Sequence, residues 1–207
     1  NENVAVNKSV TLDGNARAAT ITGAMSITAA NVTVNGFTLT NATGTEAVRV
    51  NGVSGAQITN NDIHDVGGTG STVTATGSVQ AVYVLRNSTA DISGIVISGN
   101  TISHVRSSGA GSGKSIKAIY VGDSTATHVV GVTMTGNTIS DVVSTGWGAY
   151  GILVNHATSG AGNSTVDIEN NTIDGVTGTF AHAIGLEGDT PNAKVISNTI
   201  TNVADSA

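Results

Sequence analysis

A nine-residue pattern that occurs five times constrains the fold of this 207-residue chain more than any other feature. Its clearest copy, at residues 97–105, reads ISGNTISHV. The shared skeleton is an apolar residue, two small or polar residues, Asn, any residue, Ile, two polar residues and Val. The copies begin at Ile58, Ile97, Met134, Ile168 and Val195. Such a repeat predicts stacked units, each of which buries its apolar face against the next.

Each unit also carries a strand of the type Ala-Val-x-Val and an alternating apolar pair that leads into the pattern. The repeated Asn residues are 39, 37, 34 and 27 positions apart, and the variation falls on both sides of the Ala-Val-x-Val strand. Three short strands per unit without a helical crossover predict an all-β fold, the right-handed parallel β-helix. Successive coils of such a helix lie about 4.8 Å apart, the ordinary spacing between strands.

Three columns of residues are predicted to run along the stack. Alternation with a period of two gives each strand one inward face. One inward column comprises Val48, Val82, Ile119, Ile152 and Ile184, and the other comprises Ile63, Ile102, Ile139, Ile173 and Ile200. The repeated asparagines lie at a turn, where each is expected to bond the next along the stack. This ladder comprises Asn61, Asn100, Asn137, Asn171 and Asn198.

Composition excludes several classes of partner. The net charge of −6 disfavours nucleic acids and anionic membranes, and no apolar run reaches transmembrane length, so membrane insertion is not expected. The absence of cysteine excludes disulfides and thiolate metal sites. A cysteine-free chain rich in Ser, Thr, Asn and Gly is typical of bacterial extracellular and cell-surface proteins. We expect residues 1–207 to form one domain, cut from a larger secreted or surface protein.

The opening sequence ENVAVNKSVTLDG, at residues 2–14, resembles an early coil of the pectate-lyase-like β-helix superfamily, and the five Asn-x-Ile motifs resemble its generic repeat. The resemblance covers nearly the whole chain and implies a right-handed parallel β-helix. It specifies no function, because this superfamily includes lyases, hydrolases and epimerases as well as adhesins and phage tailspikes. By comparison with that superfamily, we expect the usual first coil and N-terminal cap to be missing from this sequence and a neighbouring domain to cover the open strand edges.

Two positions after the repeated Ile lies a column that begins with Asp65, His104 and Asp141 and continues through Gly175 and Asn202. An imidazole between carboxylates suits general acid–base chemistry or metal binding. His64, beside Asp65, adds to that interpretation. The alternative is a solvent-facing turn column in which opposite charges stack.

The outward column of the Ala-Val-x-Val strand is the preferred ligand face. It reads Arg49, Tyr83, Tyr120, Leu153 and Gly185, and the column just before it reads Glu46, Gln80, Lys117, Tyr150 and His182. Loops at 67–79, 106–116, 87–94 and 156–164 flank the strand and predict a groove. Tyr and Trp offer flat surfaces for sugar rings, while Arg, Lys and His can hold carboxylates. The candidate ligand-binding residues are Arg49, Tyr83, Arg86, Lys117, Tyr120, Trp147, Tyr150, His156 and His182. The alternative is that the aromatic residues only pack under the loops.

Catalytic candidates are few. On this face they are Tyr120, His156, Arg86 and Asp123, and elsewhere Asp65, His104 and Asp141. The phosphate-binding P-loop, the Gly-x-Ser-x-Gly elbow and the zinc motif His-Glu-x-x-His do not occur. In pectate lyases, calcium-binding carboxylates cluster beside a catalytic Arg; the resemblance would place Asp123 and Arg86 there, although carboxylates are sparse. No cofactor is expected. Calcium is the one metal ion whose binding the resemblance would imply.

Three functions remain open. The first is a non-catalytic, adhesin-type module of a bacterial surface protein that contacts polysaccharide or neighbouring domains of its parent. The second is a polysaccharide lyase or C5-epimerase that acts on uronate-containing glycans. The third is a glycan-binding domain like that of a phage tailspike.

Overall fold

A computed structural model describes residues 2–85, 90–122, 130–155, 164–188, 190 and 192–206. The described residues contain no helix; they form three parallel sheets of seven strands each and one small antiparallel hairpin. The chain visits the three sheets in turn, seven times over. The predicted right-handed parallel β-helix is therefore confirmed.

The first three turns use short strands. They are β1 (Val4–Val6), β2 (Thr11–Asp13), β3 (Thr20–Thr22), β4 (Met25–Ile27), β5 (Thr33–Asn35), β6 (Thr38–Asn41), β7 (Glu46–Asn51), β8 (Gln57–Thr59) and β9 (Asp62–Val66). A hairpin of β10 (Gly68–Thr69) and β11 (Thr72–Val73) follows. It lies inside the segment 67–79 that was predicted to be a loop.

The remaining four turns use longer strands. They are β12 (Val79–Leu85), β13 (Ile92–Ser98), β14 (Thr101–Ser107), β15 (Ile116–Gly122), β16 (Val130–Thr135), β17 (Thr138–Ser144), β18 (Ala149–Asn155), β19 (Thr165–Glu169), β20 (Thr172–Gly178), β21 (Ala181–Glu187), β22 (Asn192–Ile196) and β23 (Thr199–Asp205). The predicted loop 106–116 is shorter than expected, because β14 continues to Ser107.

We call the three sheets A, B and C in the order in which each turn enters them. Sheet A runs β1-β4-β7-β12-β15-β18-β21, sheet B runs β2-β5-β8-β13-β16-β19-β22, and sheet C runs β3-β6-β9-β14-β17-β20-β23. Equivalent positions of the sequence repeat pair directly with each other. Val82, for example, pairs with Val48 on one side and with Ile119 on the other.

The core consists of the two predicted inward columns, the apolar residues of sheet B, and further buried residues of sheets A and C such as Val84 and Val105. Val48 to Ile152 in the first column, and Ile63 to Ile173 in the second, have side chains that are entirely buried. The last turn differs, because Ile184 is only partly buried and Ile200 is 47% exposed. Ile200 pairs in register with Ile173, so it occupies its predicted place in the column, but it belongs to the last described turn and is not covered by another.

The asparagine ladder is confirmed in full. In each step, the side-chain Oδ1 of one Asn accepts both the backbone N–H and the side-chain N–H of the Asn one turn earlier. The side-chain amide also donates to a backbone carbonyl, as Asn100 does to Ile58 at 2.8 Å. Each rung thereby satisfies polar groups that burial would otherwise leave without water.

A left-handed residue inside each strand of sheet C, from the third turn onward, explains the spacing of the repeat. The repeated Ile and Val are three residues apart, yet Ile102 and Val105 are both buried, which simple alternation forbids. His104, between them, has φ 51°, so it interrupts the pairing and resets the phase of the strand. The equivalent residues have φ 52–76° and comprise Asp65, Asp141, Gly175 and Asn202.

Candidate functional site

The outward side of sheet A carries the predicted ligand columns in the predicted register. Arg49 pairs with Tyr83, Tyr83 with Tyr120, and Tyr120 with Leu153. The neighbouring column also runs in register through Glu46, Gln80, Lys117, Tyr150 and His182. We call these two columns, together with Trp147 and Phe180 of the loops that enter them, the aromatic face.

The tyrosines of the aromatic face stack on each other. The ring centroids of Tyr83 and Tyr120 are 5.0 Å apart at an interplanar angle of 17°. The guanidinium of Arg49 lies 5.1 Å from the centroid of the Tyr83 ring, a cation–π contact. Because this stacking turns the ring faces toward neighbouring side chains, a ligand arriving from solvent meets ring edges rather than flat platforms.

Lys117 is buried on the aromatic face, with 6% of its surface exposed. Its Nζ donates to the hydroxyl of Ser78 at 3.0 Å and to the carbonyl of Ser115 at 3.1 Å, and it lies 4.9 Å from the centroid of the Tyr120 ring. Burial, opposed by the charge of Glu187, lowers the pKa of Lys117 from 10.5 to about 8. A substantial fraction of this amine is therefore neutral in mildly alkaline solution.

A second aromatic group occupies the last two turns of the face. Tyr150 stacks on His182 with ring centroids 5.1 Å apart, and the rings of Phe180 and Trp147 make an edge-to-face contact with centroids 5.2 Å apart. The hydroxyl of Tyr150 donates to Glu187 at 3.3 Å. Burial, together with the charge and hydrogen bond of Glu187, raises the pKa of Tyr150 to about 12, so its phenol stays protonated at physiological pH.

Sequence reasoning missed Phe180, Ser78, Ser115 and Glu187 as parts of this face. Phe180 carried a usable signal, because it is one of only two phenylalanines and precedes the last Ala-Val-x-Val-type strand. The others carried none, because Ser is frequent here and nothing in the repeat marks Ser78, Ser115 or Glu187. Their contacts depend on loop conformation and on side-chain rotamers.

The column outside sheet C brings its three titratable residues together as predicted. Nδ1 of His104 lies 3.6 Å from Asp65 Oδ1, and its Nε2 lies 3.5 Å from Asp141 Oδ2. Asp141 also pairs with the guanidinium of Arg106, and Nδ1 of His64 lies 2.9 Å from Asp65 Oδ2. This is a network of carboxylate, imidazole and guanidinium side chains, and its catalytic assignment stays a prediction.

Backbone conformation supplies a structural reason for the residue types in this column. Its members all have positive φ, a region where Asn, Asp, His and Gly are enriched. The pKa of Asp65 is nevertheless perturbed: burial raises it, but the hydrogen bond from the Gly70 N–H and the contacts with His64 and His104 outweigh burial. The net pKa lies below the ordinary value of 3.8.

Three candidate residues fall outside the described part of the chain. Arg86, Asp123 and His156 follow the ends of β12, β15 and β18, and the structure describes none of them. The calcium interpretation rested on Asp123 beside Arg86. Among the residues that are described, no group of three or more His, Cys, Asp or Glu side chains is arranged to hold a metal ion.

Comparison of the chain with protein-family models, curated proteins and solved structures finds no match. The described ranges also lack a helix long and apolar enough to cross a membrane.

Proposed function

We propose that this protein is a non-catalytic module of a bacterial surface protein that binds polysaccharide along its aromatic face. The proposal includes an extracellular location, an adhesin-type role and membership of the pectate-lyase-like superfamily. Support for the location comes from composition, because the chain has no cysteine and is rich in small polar residues. The ligand and the role rest on the aromatic face.

The observation that carries the proposal is that polar and aromatic side chains follow one another at regular intervals, turn by turn, along the helix axis. Tyr83 follows Arg49 by one turn, Tyr120 follows by another, and Tyr150 and His182 continue the neighbouring column. Ring separations of 5.0 and 5.1 Å match the spacing between turns. A linear glycan parallel to this axis would meet Arg49, Tyr83 and Tyr120 on successive turns, and hydroxyl groups suit the ring edges and polar tips presented there.

A panel of soluble polysaccharides tests the proposal. Affinity electrophoresis should show that the wild-type protein is retarded by at least one glycan, and that the double variant Tyr83→Ala/Tyr120→Ala is not. Thr133→Ala, on the outward column of sheet B, is the control and should behave as wild type. Failure of every glycan to retard the wild-type protein would sink the proposal, as would equal retardation of the double variant.

A second candidate, the uronate lyase or C5-epimerase, is favoured by one observation. Lys117 is a buried amine whose pKa of about 8 suits a general base, and it contacts the ring of Tyr120. A neutral Lys117 amine would take the proton next to the uronate carboxylate, which leaves an enolate. Elimination would be complete when the enolate forms a carbon–carbon double bond and the neighbouring glycosidic oxygen leaves with a proton from solvent water. Epimerisation would instead be complete when water delivers a proton to the opposite face of the same carbon.

Incubation with alginate and pectate, with and without calcium, separates the two candidates. Elimination produces an unsaturated sugar that absorbs in the ultraviolet, and NMR detects epimerisation. Turnover by the wild-type protein that Lys117→Met abolishes would establish the enzyme and refute the non-catalytic module. Binding without turnover would support the module.

A further inference from the structure

A cavity of about 470 Å³ lies at the N-terminal end of the aromatic face. Its wall includes Asn3, Ala24, Thr43, Thr45, Glu46 and Arg49. The cavity is distinct from the stacked tyrosines, which begin one turn further along the helix.

The outward column of sheet A changes character next to this cavity. The column that contains Arg49 continues toward the N terminus through Ser26 and then Ala5. Both side chains are short, so the ridge that Arg49, Tyr83 and Tyr120 form ends at Arg49. The cavity lies beside the end of this ridge, and the residues that precede β1, β4 and β7, among them Asn3, Ala24 and Thr45, form its walls.

The wall that precedes β7 is held in place by hydrogen bonds. Asn41 is 7% exposed, and its Nδ2 donates to the carbonyl of Glu46 at 2.6 Å. The N–H of Gly44 donates back to the carbonyl of Asn41 at 3.2 Å. A recess whose wall is fixed before binding loses little conformational entropy when it takes up a ligand.

The cavity wall places a hydrogen-bond donor, the guanidinium of Arg49, beside an acceptor, the carboxylate of Glu46. Nη1 of Arg49 donates to Glu46 Oε1 at 3.3 Å, and both side chains are partly exposed. Within the described residues, Nε of Arg49 makes no hydrogen bond, so its guanidinium is only partly satisfied. A guanidinium next to a carboxylate matches two adjacent sugar hydroxyls, because each hydroxyl both donates and accepts.

The charges of the aromatic face favour a neutral sugar over an acidic one as the ligand of the cavity. On the described part of the aromatic face, Arg49 and Lys117 are balanced by Glu46 and Glu187, and the whole chain carries −6. The carboxylate of a uronate in the cavity would lie close to Glu46, and like charges repel. The face therefore offers an acidic chain no net attraction.

We infer that the cavity beside Arg49 and Glu46 is a subsite for a neutral pyranose, where two adjacent hydroxyls of the glycan contact the two side chains. The inference rests on the proposed function, since it deepens the ligand class of the same face. It makes the protein a binder of uncharged polysaccharide and places one sugar unit of the glycan at the first turns of the helix.

The test compares neutral and acidic oligosaccharides of equal length by calorimetry, with cello-, manno- and xylo-oligosaccharides against oligogalacturonate and oligoalginate. We expect at least one neutral ligand to bind more tightly than either uronate. Glu46→Gln and Arg49→Lys should each weaken that binding roughly tenfold, because each disturbs a hydrogen bond to a charged group. The matched control Lys194→Met removes an exposed cation from sheet B and should leave the affinity unchanged.

Amide NMR shifts provide a second measurement that needs no variant. A ligand in the cavity should shift the signals of Gly23, Ala24 and Gly44, which line it. Suppose that a glycan binds and that Tyr83→Ala/Tyr120→Ala abolishes the binding. If these amide signals then do not shift, and the Glu46 and Arg49 variants keep the wild-type affinity, the subsite is refuted and the proposed function stands. Tighter binding of the uronates than of the neutral oligosaccharides would likewise refute the subsite and leave the proposed function standing. Absence of binding by every glycan would overturn both.

Discussion

The side-chain amide of Asn100 donates to the Oδ1 of Asn137 at 3.0 Å, one rung of a ladder that runs along the turn between sheets B and C. The same Oδ1 accepts the backbone N–H of Asn100 at 3.1 Å. Both residues are 1% exposed. One carbonyl oxygen thus satisfies two buried donors of the preceding turn, which makes each interior Asn the only side chain that can fill its place without an unsatisfied group.

Substitution of Asn100 by Ala should therefore destabilise the protein by about 3 kcal/mol, because it leaves several buried donors and acceptors without partners. Asn198, at the end of the ladder, is only partly buried, so water can replace the lost hydrogen bonds. Asn198→Ala should cost about 1 kcal/mol. Urea unfolding of both variants tests this difference, and equal losses would show that the ladder adds no stability through burial.

The backbone conformation of His104 can be tested apart from its ion pairs. His104→Val and His104→Asn both remove the contacts with Asp65 and Asp141, but only Asn tolerates the positive φ of 51°. His104→Val should be less stable than His104→Asn by about 1–2 kcal/mol. Ser103→Val changes the preceding residue, which is not among those with positive φ, and should have little effect. Equal stability of the two His104 variants would contradict the positive φ assigned to this residue.

Asp65 should contribute stability that acid removes. Its folded-state pKa lies below the ordinary 3.8, so the folded protein binds fewer protons than the unfolded chain in this range. The contribution is present above that ordinary pKa and is lost as the pH falls through the lower folded-state pKa. Wild type should exceed Asp65→Asn in unfolding free energy near neutral pH, and the difference should shrink in strong acid. A constant difference would show that the pKa is not lowered.

Lys117 should make the protein more stable as the solution becomes alkaline. Its pKa falls from 10.5 to about 8 on folding, so between these values the unfolded chain binds more protons than the folded protein. Unfolding free energy should rise across this window by on the order of 2–3 kcal/mol relative to Lys117→Met. Measurements are best kept below the ordinary Tyr pKa of 10, above which Tyr150 adds the opposite trend. NMR titration of the Lys117 side chain gives the pKa directly.

Gly148 permits the aromatic contact at the C-terminal end of the face. A Cβ at this position would lie 2.1 Å from the ring of Phe180, so Gly148→Ala must displace that ring. We expect a shift in the fluorescence of Trp147, the single tryptophan, and a loss of about 1 kcal/mol in unfolding free energy. Gly77→Ala, where nothing lies within 4 Å of the added Cβ, is the control. Unchanged fluorescence in Gly148→Ala would refute the Trp147–Phe180 contact.

The register of the helix was predictable because identical positions of a repeat must stack. Val82 lies between Val48 and Ile119, and Tyr83 between Arg49 and Tyr120, as the alignment of the repeats required. The spacing of Ile102 and Val105 was harder to interpret. With only two residues between two inward side chains, one of them must adopt a left-handed conformation, and the Asp, His, Gly and Asn found at that position were the available signal.

The sequence by itself determined the architecture, because periodicity, β-branched residues and the repeated Asn specify which positions stack and which face inward. Only the tertiary structure decided the chemistry of the aromatic face. The stacking of Tyr83 on Tyr120, the burial of Lys117 and the cavity beside Arg49 depend on side-chain rotamers and on loops of unequal length. A repeat dictates register, but rotamers and irregular loops are set by packing between turns, which no local pattern encodes.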